Sequence, residues 1–126
     1  MLSLASDDDP PQLITSAMRS YAGKRFAEAK AQYEAALALD PTYTIALHGI
    51  SACLFQMEKW DESIAAAEKI LVLDPNDADA QGHISRCWMR KGDVPRAELE
   101  AAKEKTIRWK LQLKEQKAAD EAKKHQ

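Results

Sequence analysis

The sequence predicts an all-α fold: a stack of three helical hairpins with an extended carboxy-terminal helix. Three observations carry this. Apolar residues recur at helical spacing, a motif repeats after 34 residues, and alanine is plentiful while phenylalanine is confined to Phe26 and Phe55. At 126 residues, 45% hydrophobic and 30% charged, the chain suits one small domain and excludes a two-domain enzyme.

The repeat is explicit. Ala36-Leu37-Ala38-Leu39-Asp40-Pro41 recurs as Ile70-Leu71-Val72-Leu73-Asp74-Pro75, with the prolines 34 residues apart. The same offset relates Phe26 to Trp60 and Val94, Ala29 to Ser63 and Ala97, and Tyr33 to Ala67 and Ala101. In the first unit, Leu13, Ala17 and Tyr21 form one stripe, and Phe26, Ala29, Tyr33, Ala36 and Leu37 a second, with Gly23-Lys24-Arg25 between them. In the second, Leu47, Ile50 and Leu54 precede Met57-Glu58-Lys59, and Trp60, Ile64, Ala67, Ile70 and Leu71 follow. The third runs Ile84, Cys87 and Trp88, then Lys91-Gly92-Asp93, then Val94, Ala97 and Ala101.

Helix ends follow from local chemistry. Proline disfavours helical geometry in the residue before it, so helices should end near Leu39 and Leu73. Asp77 and Asp93 can each accept from free backbone amides at a helix start, and Pro95 fits a first turn. From Arg96 to Lys124 there is neither glycine nor proline. One helix of about 43 Å is expected there.

Together these residues resemble the tetratricopeptide repeat family over residues 10–109, most closely in Lys59-Trp60-Asp61-Glu62-Ser63-Ile64 through Asp77 and in Phe26-Ala27-Glu28-Ala29 through Pro41. The resemblance implies a right-handed superhelical stack with repeats 10–43, 44–77 and 78–109, preceded by a short acidic extension at 1–9. A long helix at 96–124 overlaps the last repeat and caps it. Small residues at Ala17, Ser51, Ser85, Ala29, Ser63 and Ala97 fit the family's close helix contacts. The first unit departs in carrying Leu13 where a tryptophan is common, and the third lacks the terminal Asp-Pro.

The resemblance also implies a concave groove that binds an extended peptide or helix of a partner protein. Matching helix positions places Ile14, Met18, Tyr21 and Ala22 on it, then His48, Gly49, Ala52, Phe55 and Gln56, then Gly82, His83, Arg86, Met89 and Arg90. Arg86 and Arg90 lie one turn apart and suit an acidic segment, while Phe55 and Met89 offer an adaptable apolar floor. Gly49 and Gly82 would leave room for a peptide backbone. Family members that grip a chaperone's carboxy-terminal tail use lysines, asparagines and an arginine. Here the matching positions are Ile14, Met18, Gly49, Asp79 and His83, so such a tail is a disfavoured partner.

An alternative surface lies on the long helix, where Leu99, Ala102, Thr106, Trp109 and Leu113 form a stripe that either caps the last repeat or docks another chain. The residues leave self-association open.

Other chemistries find little support. Eighteen basic and twenty acidic side chains give a charge of −2, which suits no nucleic-acid surface, although residues 96–126 alone carry nine basic against six acidic groups. Cys53 and Cys87 read as small buried hydrophobes, with no Cys-x-x-Cys and no metal-ligand spacing. His48 and His83 lack a nucleophile or glycine-rich phosphate loop to serve, so no catalytic residue and no cofactor is expected. Met1 to Asp9 does not read as a secretory leader, and no run of 18 apolar residues exists, so a cytoplasmic location is expected.

Overall fold

The computed structural model describes residues 9–125. The extension expected at residues 1–9 therefore lies outside the described residues, save Asp9.

Among the described residues six helices follow in order: α1 (Pro10–Ala22), α2 (Phe26–Leu39), α3 (Thr44–Gln56), α4 (Trp60–Leu73), α5 (Ala78–Arg90) and α6 (Val94–Lys124). Each helix packs on the next in sequence, and α1 also meets α3. The hairpins therefore stack side by side.

The turn inside each hairpin repeats its geometry at the 34-residue period. Lys24, Glu58 and Gly92 all take positive φ, at 62°, 61° and 86°. After each of them the next amide donates five residues back, from Arg25 to Ser20, Lys59 to Leu54 and Asp93 to Trp88. This left-handed closure satisfies carbonyls at the end of the first helix. In the first turn the left-handed residue is Lys24, whereas the neighbouring Gly23 has φ −82°.

Between hairpins, Leu39 and Leu73 end their helices as the Asp-Pro pairs require, with Asp40 and Asp74 extended. The Asp40 carboxylate accepts from the Thr42 amide at 3.1 Å, and Asp74 from the Asn76 amide at 3.0 Å. Asp77 and Asp93 accept from Ala80 and Arg96 amides, both at 3.0 Å, and start α5 and α6.

Two cores form across the unit boundaries. One joins Ile14, Ala17, Ala29, Tyr33, Ile50 and Cys53; the other joins Leu47, Ile64, Ala67, Ile70, Ile84 and Cys87. Within each hairpin the small residues allow close approach. The Ser51 hydroxyl donates to the Ser63 carbonyl at 3.1 Å, Ser63 donates back to the Ser51 carbonyl at 2.7 Å, and Ser85 donates to the Ala97 carbonyl at 2.7 Å. Both cysteines are buried and free. Burial pushes the Cys53 thiol up to about 11.

α6 packs on α5 with a different face from the large apolar stripe. Ala97 and Glu100 are buried, and Ala101, Glu104 and Ile107 are half-buried, whereas Leu99, Ala102, Thr106, Trp109 and Leu113 are exposed. The face turned to α5 combines Ala97 and Ala101 with Glu100, which accepts from Gln81, and Glu104, which lies against Gly82. The stripe does not cap the repeat. From Arg108 to His125 every residue is exposed.

Candidate functional site

The first helices of the second and third hairpins bring four of the expected groove residues together. Phe55 on α3 meets His83 on α5, with ring centroids 5.3 Å apart, and packs edge-on against Trp60 at 5.0 Å. The Arg90 guanidinium lies over the Phe55 ring at 5.2 Å and 5.9 Å from that of Trp60. This stacking holds a cation at the edge of an apolar floor without neutralising it. Arg86 reaches His83 and is exposed beside the cluster, and Met89 is exposed on the same helix.

His83 anchors the cluster to the interior. Its Nε2 lies 2.6 Å from the Ser63 hydroxyl, which itself donates to the Ser51 carbonyl. Because that hydroxyl proton is already committed, Nε2 carries a proton and donates to Ser63 Oγ. Nδ1 is then free to accept from Arg86 Nη2, 3.5 Å away. Burial first, then the Arg86 charge, pushes the His83 imidazole down to about 4, so the ring is neutral at physiological pH.

His48 and Tyr21 hold neighbouring hairpins in place. His48 Nε2 donates to Asp77 Oδ2 at 2.8 Å, while Asp77 Oδ1 caps α5. Gln56 Nε2 donates to the Tyr21 hydroxyl at 3.3 Å, and the Tyr21 ring meets Phe26 edge-on at 5.2 Å. Ala52 is half-buried and Met18 is exposed.

Three expectations are corrected. Ile14 is buried in the core with Ala17 and Tyr33, because its side chain closes the first hairpin, and it presents no groove surface. Gly49 offers no space to a ligand, since a Cβ there would overlap the Tyr33 ring. A Cβ at Gly82 would lie 2.8 Å from the Glu104 carboxylate. Both gaps are filled from within the protein.

Other contacts were not apparent in the sequence. Buried Glu100 accepts from Gln81 at 3.3 Å and pairs with Lys103 at 3.1 Å. Arg108 joins Glu104 at 2.8 Å to Asp79 at 3.1 Å and so ties α6 to the start of α5. Each carboxylate reads in sequence as a solvated helical residue; only partners about one helical hairpin away reveal its role. An apolar hollow of about 380 Å³ also opens between the first two hairpins, lined by Leu37, Pro41, Leu47, Lys69, Val72 and Leu73.

Among the described residues no three histidines, cysteines or carboxylates gather as a metal site, and no helix is long and apolar enough to cross a membrane.

Comparison with known proteins agrees with this architecture. A curated relative from Arabidopsis thaliana, a probable UDP-N-acetylglucosamine--peptide N-acetylglucosaminyltransferase SEC, is 31% identical over 91 residues, 72% of this chain. The chain spans only 9% of that relative's length. The type III secretion chaperone SycD of Yersinia enterocolitica, solved with a peptide of the translocator YopD, superimposes with a TM-score of 0.73 at 23% identity, covering 77% of this chain and 74% of that one. The first repeat domain of Spaghetti, bound to the HSP90 peptide SRMEEVD, gives 0.73 at 11% identity, covering 79% of each chain.

These structures overturn the expectation that a chaperone tail is a disfavoured ligand. Spaghetti's repeat domain holds a chaperone peptide at 11% identity to this chain, and SycD holds a translocator peptide at 23%. The residue types at Ile14, Met18, Gly49, Asp79 and His83 are therefore no ground for excluding such a tail, because the helical surface supplies the shape and other side chains can supply the grip. The family model described as Tetratricopeptide repeat matches residues 20–82, and the chain belongs to the tetratricopeptide repeat family.

Proposed function

We propose that the protein is an interaction module whose first-helix face, centred on Phe55, binds a peptide or helix of a partner protein. One observation carries the reading: Phe55 meets His83 and Arg90 across two hairpins, with Arg86 exposed beside His83 and Met89 exposed on the same helix. Such a surface offers an apolar floor, two guanidinium groups and a neutral imidazole to a ligand. The fold's occupation by peptides in SycD and Spaghetti supports this reading.

The groups present serve recognition and not bond chemistry. His83 donates to the Ser63 hydroxyl, which is fully buried and spends its own proton on the Ser51 carbonyl, and His48 is held by Asp77, so neither imidazole acts as base to an accessible nucleophile. Affinity capture at physiological salt tests the proposal by comparing the intact protein with the Arg86→Glu/Phe55→Ala variant and with Met89→Glu. Partners should be retained by the intact protein and lost with both folded variants. Identical partner sets would refute the site.

A further inference from the structure

The large stripe on α6 is left over once the fold and the groove are accounted for. Leu99, Trp109 and Leu113 are 53%, 59% and 50% exposed, far above what a cap would leave. Nor is the stripe the bare end of a repeat array. In α4, Ile64, Ala67, Ile70 and Leu71 pack toward the next hairpin, and one repeat later those positions hold Glu98, Ala101, Glu104 and Lys105. That end is polar, which stops the stack. Leu99, Ala102 and Thr106 instead follow Ala65, Glu68 and Val72, which are all exposed in the preceding hairpin.

The stripe has the spacing of a helix-docking seam. Residues 99, 102, 106, 109 and 113 are separated by steps of three and four, giving two apolar-seam positions per heptad over about 21 Å. A surface lying on lipid takes a broader apolar face than this. Trp109 supplies a large, rigid anchor near the middle.

Charge then selects the occupant. Lys103, Lys110 and Lys117 run along one edge of the seam, and Lys105 stands on the other with Glu98 and Gln112. Among the described residues Lys105, Lys110 and Lys117 form no ion pair, whereas Lys103 is tied to Glu100. A second copy packed antiparallel would set the lysine edge against its own equivalent, and a parallel copy would bring Lys105 against Lys110, with Glu98 facing a Lys103 that is already held by Glu100. Like charges so placed oppose pairing, while glutamates on a partner helix would meet these free cations.

We infer that the Leu99–Leu113 stripe of α6 is a second docking face, separate from the groove, for an acidic amphipathic helix of another protein. Trp109 and Leu113 bury against the partner's apolar seam. Lys105, Lys110 and Lys117 pair with its flanking carboxylates and set its register.

The test uses the full chain and two stapled helical peptides of 21 residues on the order of three heptads. Both carry leucine at the seam; one has glutamates at the flanking positions and its twin has lysines. By calorimetry, the acidic peptide should bind at least about tenfold more tightly than the basic twin, a difference of about 1.4 kcal/mol. Trp109→Ala/Leu113→Ala should abolish binding, Lys110→Glu/Lys117→Glu should reverse the preference, and Arg86→Glu/Phe55→Ala should leave it unchanged. All these side chains on α6 are exposed, so circular dichroism will show the helix retained. No preference between peptides, no binding by either up to about 1 mM, or unchanged binding by the α6 variants would overturn the inference. So would a concentration-dependent dimer lost with Trp109→Ala, which assigns the stripe to a second copy, or binding confined to vesicles of phosphatidylserine and phosphatidylcholine.

Discussion

His48 on α3 donates to Asp77, the residue that caps α5, so one carboxylate both starts a helix and ties the second hairpin to the third. Asp77→Ala removes the cap and the tie together and should cost about 1–2 kcal/mol. His48→Gln keeps the cap and should cost less than about 1 kcal/mol. Urea unfolding of the two variants checks the order.

Gly49 and Gly82 should respond differently to alanine. Gly49→Ala gains about 1 kcal/mol of helix propensity but drives a Cβ into the ring of buried Tyr33, a clash that should leave a net loss of about 1–2 kcal/mol. Gly82→Ala meets only the flexible end of Glu104, which can swing aside, and should be nearly neutral. Equal losses in thermal unfolding would contradict this difference.

The left-handed residues offer a gain. Lys24→Gly and Glu58→Gly should each stabilise the protein by about 1 kcal/mol, because a side chain at positive φ is strained where glycine is not. Gly92→Ala should lose a similar amount. Denaturant midpoints measured at matched slope provide the check.

His83 makes stability depend on pH. Its folded pKa, held down at about 4, lies below the value near 6.5 of an unperturbed imidazole, so the unfolded chain binds the extra proton between these limits. The contribution is fully present above pH 6.5 and is lost as pH falls toward 4. The unfolding midpoint of the intact protein should therefore drop more steeply over that window than that of His83→Gln, whose slope retains only the groups common to both.

Much of the fold was legible because its causes are local and periodic. The 34-residue offset, the prolines after Asp40 and Asp74, and the caps at Asp77 and Asp93 each act within a few residues of themselves. Phe55, His83, Arg86 and Arg90 share a face because helical spacing and repeat length place them there. The failures are longer-ranged. Ile14 has an apolar side chain at a groove position, and whether it turns inward depends on how the first hairpin closes. Gly49 reads as open space until Tyr33, sixteen residues earlier, fills it. On α6 the large apolar stripe is the obvious candidate for the contact with α5, and the sequence does not say that a face carrying Glu100 and Glu104 takes it instead, because their partners Gln81 and Gly82 lie on another helix. The solved peptide complexes correct the chaperone-tail expectation for a similar reason: a missing set of family side chains does not remove the surface that carried them.

The most direct test of groove recognition is to select peptides from a random dodecamer library on the intact protein and titrate them into defined variants. Selected peptides should lose at least about tenfold in affinity with folded Arg86→Glu/Phe55→Ala and with Met89→Glu, yet bind Trp109→Ala/Leu113→Ala as tightly as the intact chain. Peptides that bind all of these proteins equally would contradict recognition by the Phe55-centred face.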